Sequence, residues 1–108
     1  MKGSAVAEPF FIQLSLMITK KIVVKGRVQG VNFRNEAKSL ADELLIKGQI
    51  RNLPNGEVEI IATAEDGIIQ QFIDWCYEGP PLAKVEKVLV EEESLRWFDD
   101  FKILRGAN

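Results

Sequence analysis

Strand-patterned and helix-patterned stretches follow one another in the order β-α-β-β-α-β, with a further strand at the C-terminal end. That order predicts an α+β fold, a ferredoxin-like α/β sandwich with two helices on one face of an antiparallel sheet. Two properties of the whole chain agree. Its 108 residues suffice for one hydrophobic core and are too few for two. Hydrophobic residues make up 46% and charged residues 28%, an ordinary balance for a globular domain.

The elements can be justified in turn. Ile18 to Lys25 is rich in Ile and Val and bounded by Gly26, which is a strand signal. From Phe33 the period changes. Phe33, Ala37, Leu40, Ala41, Leu44 and Leu45 recur at helical spacing, with Glu36, Lys38, Asp42 and Glu43 largely on the other face. Gly48 is placed to end this helix in a left-handed turn. "QIRNLPNGEVEIIATA" then reads as a hairpin, with Ile50 in its first strand, a turn at Pro54 to Gly56, and Val58, Ile60 and Ala62 alternating in its second. A second helix is expected from Glu65 to Tyr77. Ile69, Phe72, Ile73 and Cys76 form its buried stripe, and Gly79-Pro80-Pro81 stops it. Val85 to Glu91 and Phe98 to Leu104 supply the remaining strands.

Residues 1–16 read as an N-terminal extension and residues 17–108 as the domain. The stretch opening at Met17, "MITKKIVVKG", looks like a natural start. Lys2 followed by an apolar run suggests a signal peptide, but Glu8, Pro9, Gln13 and Ser15 interrupt it and no small-residue cleavage site follows. The segment is also too short and polar to span a membrane.

Charge and residue usage exclude several classes of function. A net charge of −2 offers no bulk attraction to nucleic acid or acidic membranes, so neither is an expected partner and any anion site must be local. Cys76 is the only cysteine, which rules out an intramolecular disulfide and points to a reducing, cytoplasmic compartment. With no histidine at all, histidine general bases, phosphohistidine chemistry and most zinc sites drop out. An enzyme built from this chain works through Arg, Lys, Asn, carboxylates or backbone amides.

One stretch is suited to such chemistry. "GRVQGVNFR", Gly26 to Arg34, lies where the first strand gives way to the first helix. Backbone N–H groups lack partners at that junction, and a curled turn gathers them into an anion-binding nest aided by the helix dipole. Gly26 and Gly30 permit positive φ there, and Arg34 can add a forked pair of charged donors. The stretch is neither a Walker A loop nor a dinucleotide fingerprint. On these nine residues alone, a tight turn carrying a surface arginine is the plainer reading.

The same residues resemble the acylphosphatase signature G-[RK]-V-Q-G-V-x-[FY]-R. A second family signature, G-[WFY]-[VAI]-x-N followed by a turn and G-x-V, is similar to Gly48-Gln49-Ile50-Arg51-Asn52 with Gly56 and Val58 behind it. "EGPPLAKVEKVLVEE" resembles the family's G-P-P-x-A-x-V-x-x-V segment and "FKILR" its last strand, so the likeness spans roughly residues 18–105. The resemblance implies hydrolysis of the carboxyl-phosphate bond of small acyl phosphates by a positioned water, with no metal, no cofactor and no covalent phosphoenzyme. It implies that Arg34 binds the phosphoryl group, that Asn52 positions the water, and that the loop Gln29, Gly30, Val31, Asn32 and Phe33 cradles phosphate. Inorganic phosphate is then product and inhibitor, and a monomer is expected. Gln49 departs from the pattern, since an aromatic residue is usual at that position.

Competing readings are weaker. Cys76 falls on the apolar stripe of the second helix, and Leu82 stands where a cysteine-phosphatase loop wants arginine. Glu91-Glu92-Glu93 and Asp99-Asp100 are adjacent acids that read as solvated runs rather than a metal site. An RNA-binding module needs aromatic residues on a central strand, and "KIVVKG" and "EVEIIATA" have none. The alternative from another class is a non-catalytic anion- or ligand-binding module of the same fold. Intact Arg34 and Asn52 argue against it.

Overall fold

The computed structural model of the chain describes residues 16–105. The expected extension, residues 1–16, lies outside them apart from Leu16. The elements are β1 (Met17–Arg27), α1 (Phe33–Glu43), β2 (Lys47–Asn52), β3 (Val58–Glu65), α2 (Asp66–Cys76), β4 (Lys84–Glu93) and β5 (Phe101–Ile103). They form one five-stranded sheet in the order β4-β1-β3-β2-β5. The first four strands pair antiparallel, as the sequence order implies. The C-terminal strand makes the sheet mixed, because β5 runs parallel to β2, with Gly48 opposite Phe101 and Ile50 opposite Ile103.

Alternation decides which side chains face the helices. Val58, Ile60 and Ala62 of β3, Ile22 and Val24 of β1 and Ile50 of β2 are fully buried, together with Phe33, Ala37 and Ala41 of α1 and Ile69, Phe72 and Cys76 of α2. Phe33, the first residue of α1, packs 5.1 Å from Trp75, while Phe72 lies 6.1 Å from Phe101. Each such buried aromatic contributes about 1.5–3 kcal/mol. Phe33 therefore ties the start of α1 to the core, and that start is one wall of the site.

The opposite face of the sheet is crossed by the segment linking β4 to β5, which sit at opposite edges. Arg96 pins the crossing. Its N–H donates to Thr19 Oγ1 at 2.9 Å, and Thr63 Oγ1 donates to its carbonyl at 2.7 Å. The two hydroxyls are 2.6 Å apart, so with Thr19 donating to Thr63 the ring of bonds closes. This crossing delivers the chain to β5, whose last carbonyl neighbours lie beside β2: Leu104 N–H donates to Ile50 O at 2.8 Å.

Two local expectations need correction. β1 continues through Gly26 to Arg27, with an irregularity against β4 at Lys25/Gly26, rather than stopping before the glycine. The helix stop is also earlier than Gly48. Leu45 itself takes φ 60, Leu45 N–H donates to Asp42 O at 3.2 Å and Ile46 N–H to Ala41 O at 2.8 Å. Ile46 explains the early stop: a continued helix would carry it to the face opposite Ala37, whereas the turn buries it. Gly48 instead lies inside β2, where a Cβ would come within 1.9 Å of Ile61 O.

Candidate active site

Val28 and Val31 are buried and anchor the loop between β1 and α1 in the core. Between and after them the backbone turns left-handed at alternate residues, with φ 75 at Gly30 and φ 70 at Asn32. Such alternation makes successive N–H groups converge on one concavity. Gly30 faces open space, where a Cβ would meet no protein atom within 4 Å. Asn is one of the few non-glycine residues that tolerate this conformation.

Asn32 is also the N-cap of α1, but its side chain makes no capping bond. Its Oδ1 instead accepts from Asn35 Nδ2 at 2.9 Å. The helix's first backbone bond runs from Glu36 N–H to Asn32 O at 3.2 Å. The amides of Phe33, Arg34 and Asn35 therefore have no acceptor within the helix, and no capping oxygen competes for them. This helix end is left open to an anion.

A cleft of about 290 Å³ lies in front of these amides, lined by Gly30, Asn32, Phe33, Arg34, Asn35 and Asn52, with Val28, Ile103 and Arg105 completing its wall. Among the described residues no carboxylate lines it. Arg34 is half-buried and takes part in none of the ion pairs among the described residues, which join Lys20, Lys21, Lys25, Lys38 and Arg51 to carboxylates elsewhere. A chain with net charge −2 thus keeps a locally positive cleft.

Asn52 ends β2 on the same face as Ile50 and is only 4% exposed. Its Oδ1 is buried and has no hydrogen-bond partner among the described protein groups. An orphaned buried acceptor is uncommon and unfavourable by about 1–3 kcal/mol. From its position in the cleft it can accept a hydrogen bond from a group held there.

The structure thus gathers Gly30, Asn32, Phe33, Arg34 and Asn52 around one cleft. Val31 turns into the core, and the Gln29 side chain bonds to the hairpin behind the cleft. Asn35 and Arg105 are additions that the sequence reading did not single out. A signal for Arg105 existed: Ile103 pairs with Ile50, so two residues further on Arg105 falls beside Asn52 with the same parity. Using it required knowing that β5 runs parallel to β2.

Elsewhere, Cys76 is fully buried, and that burial pushes its thiol up, away from the reactive thiolate. Among the described residues no three His, Cys, Asp or Glu side chains cluster to hold a metal ion. None of the described helices is long and apolar enough to cross a membrane.

The family model described as Acylphosphatase matches residues 20–103. A protein named Acylphosphatase from Acaryochloris marina is 45% identical over 89 residues, covering 82% of this chain and 96% of that relative. One of the same name from Rubrobacter xylanophilus is 48% identical over 73 residues, 68% of this chain and 66% of that relative. The solved structure of an acylphosphatase from Coxiella burnetii superposes with a TM-score of 0.82 at 35% identity, covering 85% of this chain and 97% of that one.

Proposed function

The chain belongs to the acylphosphatase family, and from that premise we propose how its residues hydrolyse the carboxyl-phosphate bond of an acyl phosphate. The phosphoryl group sits in the loop from Gln29 to Phe33, held by converging amides and by the first-turn amides of α1. Arg34 adds a forked guanidinium contact to its oxygens. Asn52 Oδ1 accepts a hydrogen bond from a water and turns its lone pair toward phosphorus, opposite the acyl oxygen. The water oxygen bonds to phosphorus as the P–O bond to the acyl group breaks. The electron pair leaves on the carboxylate, and the water's proton passes to a phosphoryl oxygen.

Chemistry of this kind suits the available groups. An acyl phosphate is a mixed anhydride whose carboxylate leaves readily, so no strong general acid is required. What remains is alignment and stabilisation of charge on the equatorial oxygens, which Arg34 and fixed amides supply without a metal. The observation that carries the reading is the buried Asn52 Oδ1, without a partner among the described residues, in the same cleft as the open α1 amides and an Arg34 that joins none of the described ion pairs.

The deciding experiment is phosphate release from benzoyl phosphate with EDTA present. Release, competitively inhibited by inorganic phosphate, is expected; no release at any enzyme concentration would favour the non-catalytic anion-binding module. We read residues 17–108 as the catalytic domain, acting as a monomer in the cytoplasm, a compartment that the single buried Cys76 supports. A chain begun at Met17 should keep kcat/KM.

A further inference from the structure

We propose that Gln29 is a positioning residue whose side chain sets the distance between the bound phosphoryl group and the water on Asn52. The proposal rests on the hydrolytic reading of the cleft and gives this glutamine a role apart from the loop amides. Its carboxamide nitrogen donates twice, to Leu53 O at 2.9 Å and to Glu57 O at 2.8 Å. Both acceptors already close the β2–β3 turn: Glu57 O accepts from Leu53 N–H at 2.8 Å, and Leu53 O accepts from Gly56 N–H at 3.1 Å. One side chain thereby fastens the residue before Gly30 to the residue after Asn52.

That fastening matters because, among the described residues, Gln29 makes the only side-chain hydrogen bonds between the loop and the turn that follows Asn52. Lys25 reaches the same turn from β1 through an ion pair to Glu57 at 3.2 Å. The phosphoryl cradle belongs to the β1–α1 connection, while the water holder belongs to the end of β2. β1 and β2 are not neighbours, since β3 lies between them. Among the described residues Asn52 Oδ1 has no protein partner to orient it, so its placement follows from its backbone, which pairs with Val58 in β3 and which Gln29 ties to the loop through Leu53. Both donated bonds go to carbonyls, so the interaction needs a neutral amide with two N–H groups. A carboxylate cannot supply them, and asparagine is one methylene too short.

In-line attack is sensitive to this distance, so loss of the tie should lower turnover more than binding. Gln29→Met keeps the length and removes both donors. Its kcat on benzoyl phosphate should fall about 10- to 100-fold, the scale of a displacement near 1 Å. The inhibition constant for inorganic phosphate should stay near that of the wild type, because Arg34 and the amides remain. Gln29→Glu should be impaired at neutral pH and regain kcat, relative to wild type, as pH falls toward the carboxyl pKa, about 4.3 when unperturbed, where one donor returns. In an Asn52→Ala background, Gln29→Met should lower the residual kcat no further, because the glutamine acts through Asn52.

Three results would overturn the proposal. They are wild-type kcat with only a lowered Tm in Gln29→Met, a raised phosphate inhibition constant at unchanged kcat, or losses that multiply in the double variant. Failure of the wild-type chain to release phosphate at all would instead overturn the hydrolytic reading itself.

Discussion

At the N-terminal end of α1, Asn32 has φ 70; at its C-terminal end, Leu45 has φ 60. Both are non-glycine residues in the left-handed region, and both mark a change of chain direction. What surrounds them differs. Around Asn32 the first-turn amides of α1 have no acceptor within the helix and no capping oxygen, and the conformation helps to turn them into a cleft. Around Leu45 the carbonyls of Leu40, Ala41 and Asp42 are used, accepting from Leu44, Ile46 and Leu45, and Ile46 drops into the core. The same local conformation leaves open amides at one end and completes the packing at the other. Strain alone therefore says nothing about function; the decisive question is whether the neighbouring polar groups are satisfied.

The largest test of this contrast removes the charge from the open end. Arg34→Ala should lower kcat/KM for benzoyl phosphate by about 10²-fold or more, the scale of losing a preorganised donor, with phosphate affinity and kcat falling together. Arg34→Lys should rescue poorly, because an ammonium restores the charge without the fork. An Arg34→Ala protein that bound phosphate as tightly as wild type would mean the amides suffice and the guanidinium serves something else.

Asn52→Ala should come next. Turnover should be largely abolished while phosphate binds nearly as before, so kcat changes more than affinity. Because the Asn52 Oδ1 has no partner to lose among the described residues, the substitution should not lower Tm, and melting curves check this first. Wild-type turnover in this variant would remove Asn52 from the water-holding role.

Much of this site could be read from the residues, and the unread part has a physical origin. The loop was legible because its properties are local: a glycine, an arginine and a strand-to-helix change of period lie within nine residues. The hairpin and both buried helical stripes were legible for the same reason, since periodicity is a local signal. The stop at Leu45 was hidden because the burial of Ile46 outweighed the preference of Gly48 for a left-handed turn, and tertiary packing routinely overrides such preferences. Arg105 was hidden because it reaches the cleft through the parallel pairing of β5 with β2, a contact between residues about fifty positions apart in the chain. The bonds from Gln29 to Leu53 and Glu57 were hidden likewise, being formed by a side chain across a strand that intervenes.

A smaller effect is expected when only the backbone conformation at the open end is disturbed. Asn32→Gly keeps positive φ accessible and should leave phosphate affinity close to wild type. Asn32→Ala places a Cβ residue in the left-handed region, at a strain of about 1–2 kcal/mol. If that strain falls on the anion-holding turn, phosphate affinity drops about fivefold or more. Calorimetric titration of the two variants separates them. Equal losses in both would assign the effect to the Asn32–Asn35 side-chain bond rather than to the backbone.

The smallest effect belongs to the closed end, and its sign is the informative part. Leu45 is 76% exposed, so its side chain contributes little burial to offset its left-handed backbone. Leu45→Gly relieves a strain of about 1–2 kcal/mol but adds freedom to the unfolded chain, which opposes folding by about 0.5–1 kcal/mol. The net should be stabilising by about 0.5 kcal/mol, raising Tm by about 2–4 °C for a domain of this size. Leu45→Ala retains the strained Cβ and should give no such rise. Neither variant should alter kcat/KM, since the carbonyls of Leu40, Ala41 and Asp42 are satisfied within the fold and none of these residues lines the cleft. A fall in kcat/KM for Leu45→Gly, with Tm raised as expected, would mean that the turn after α1 sets the pose of β2 and hence of Asn52. The two ends of the helix would then be coupled rather than separate in their roles.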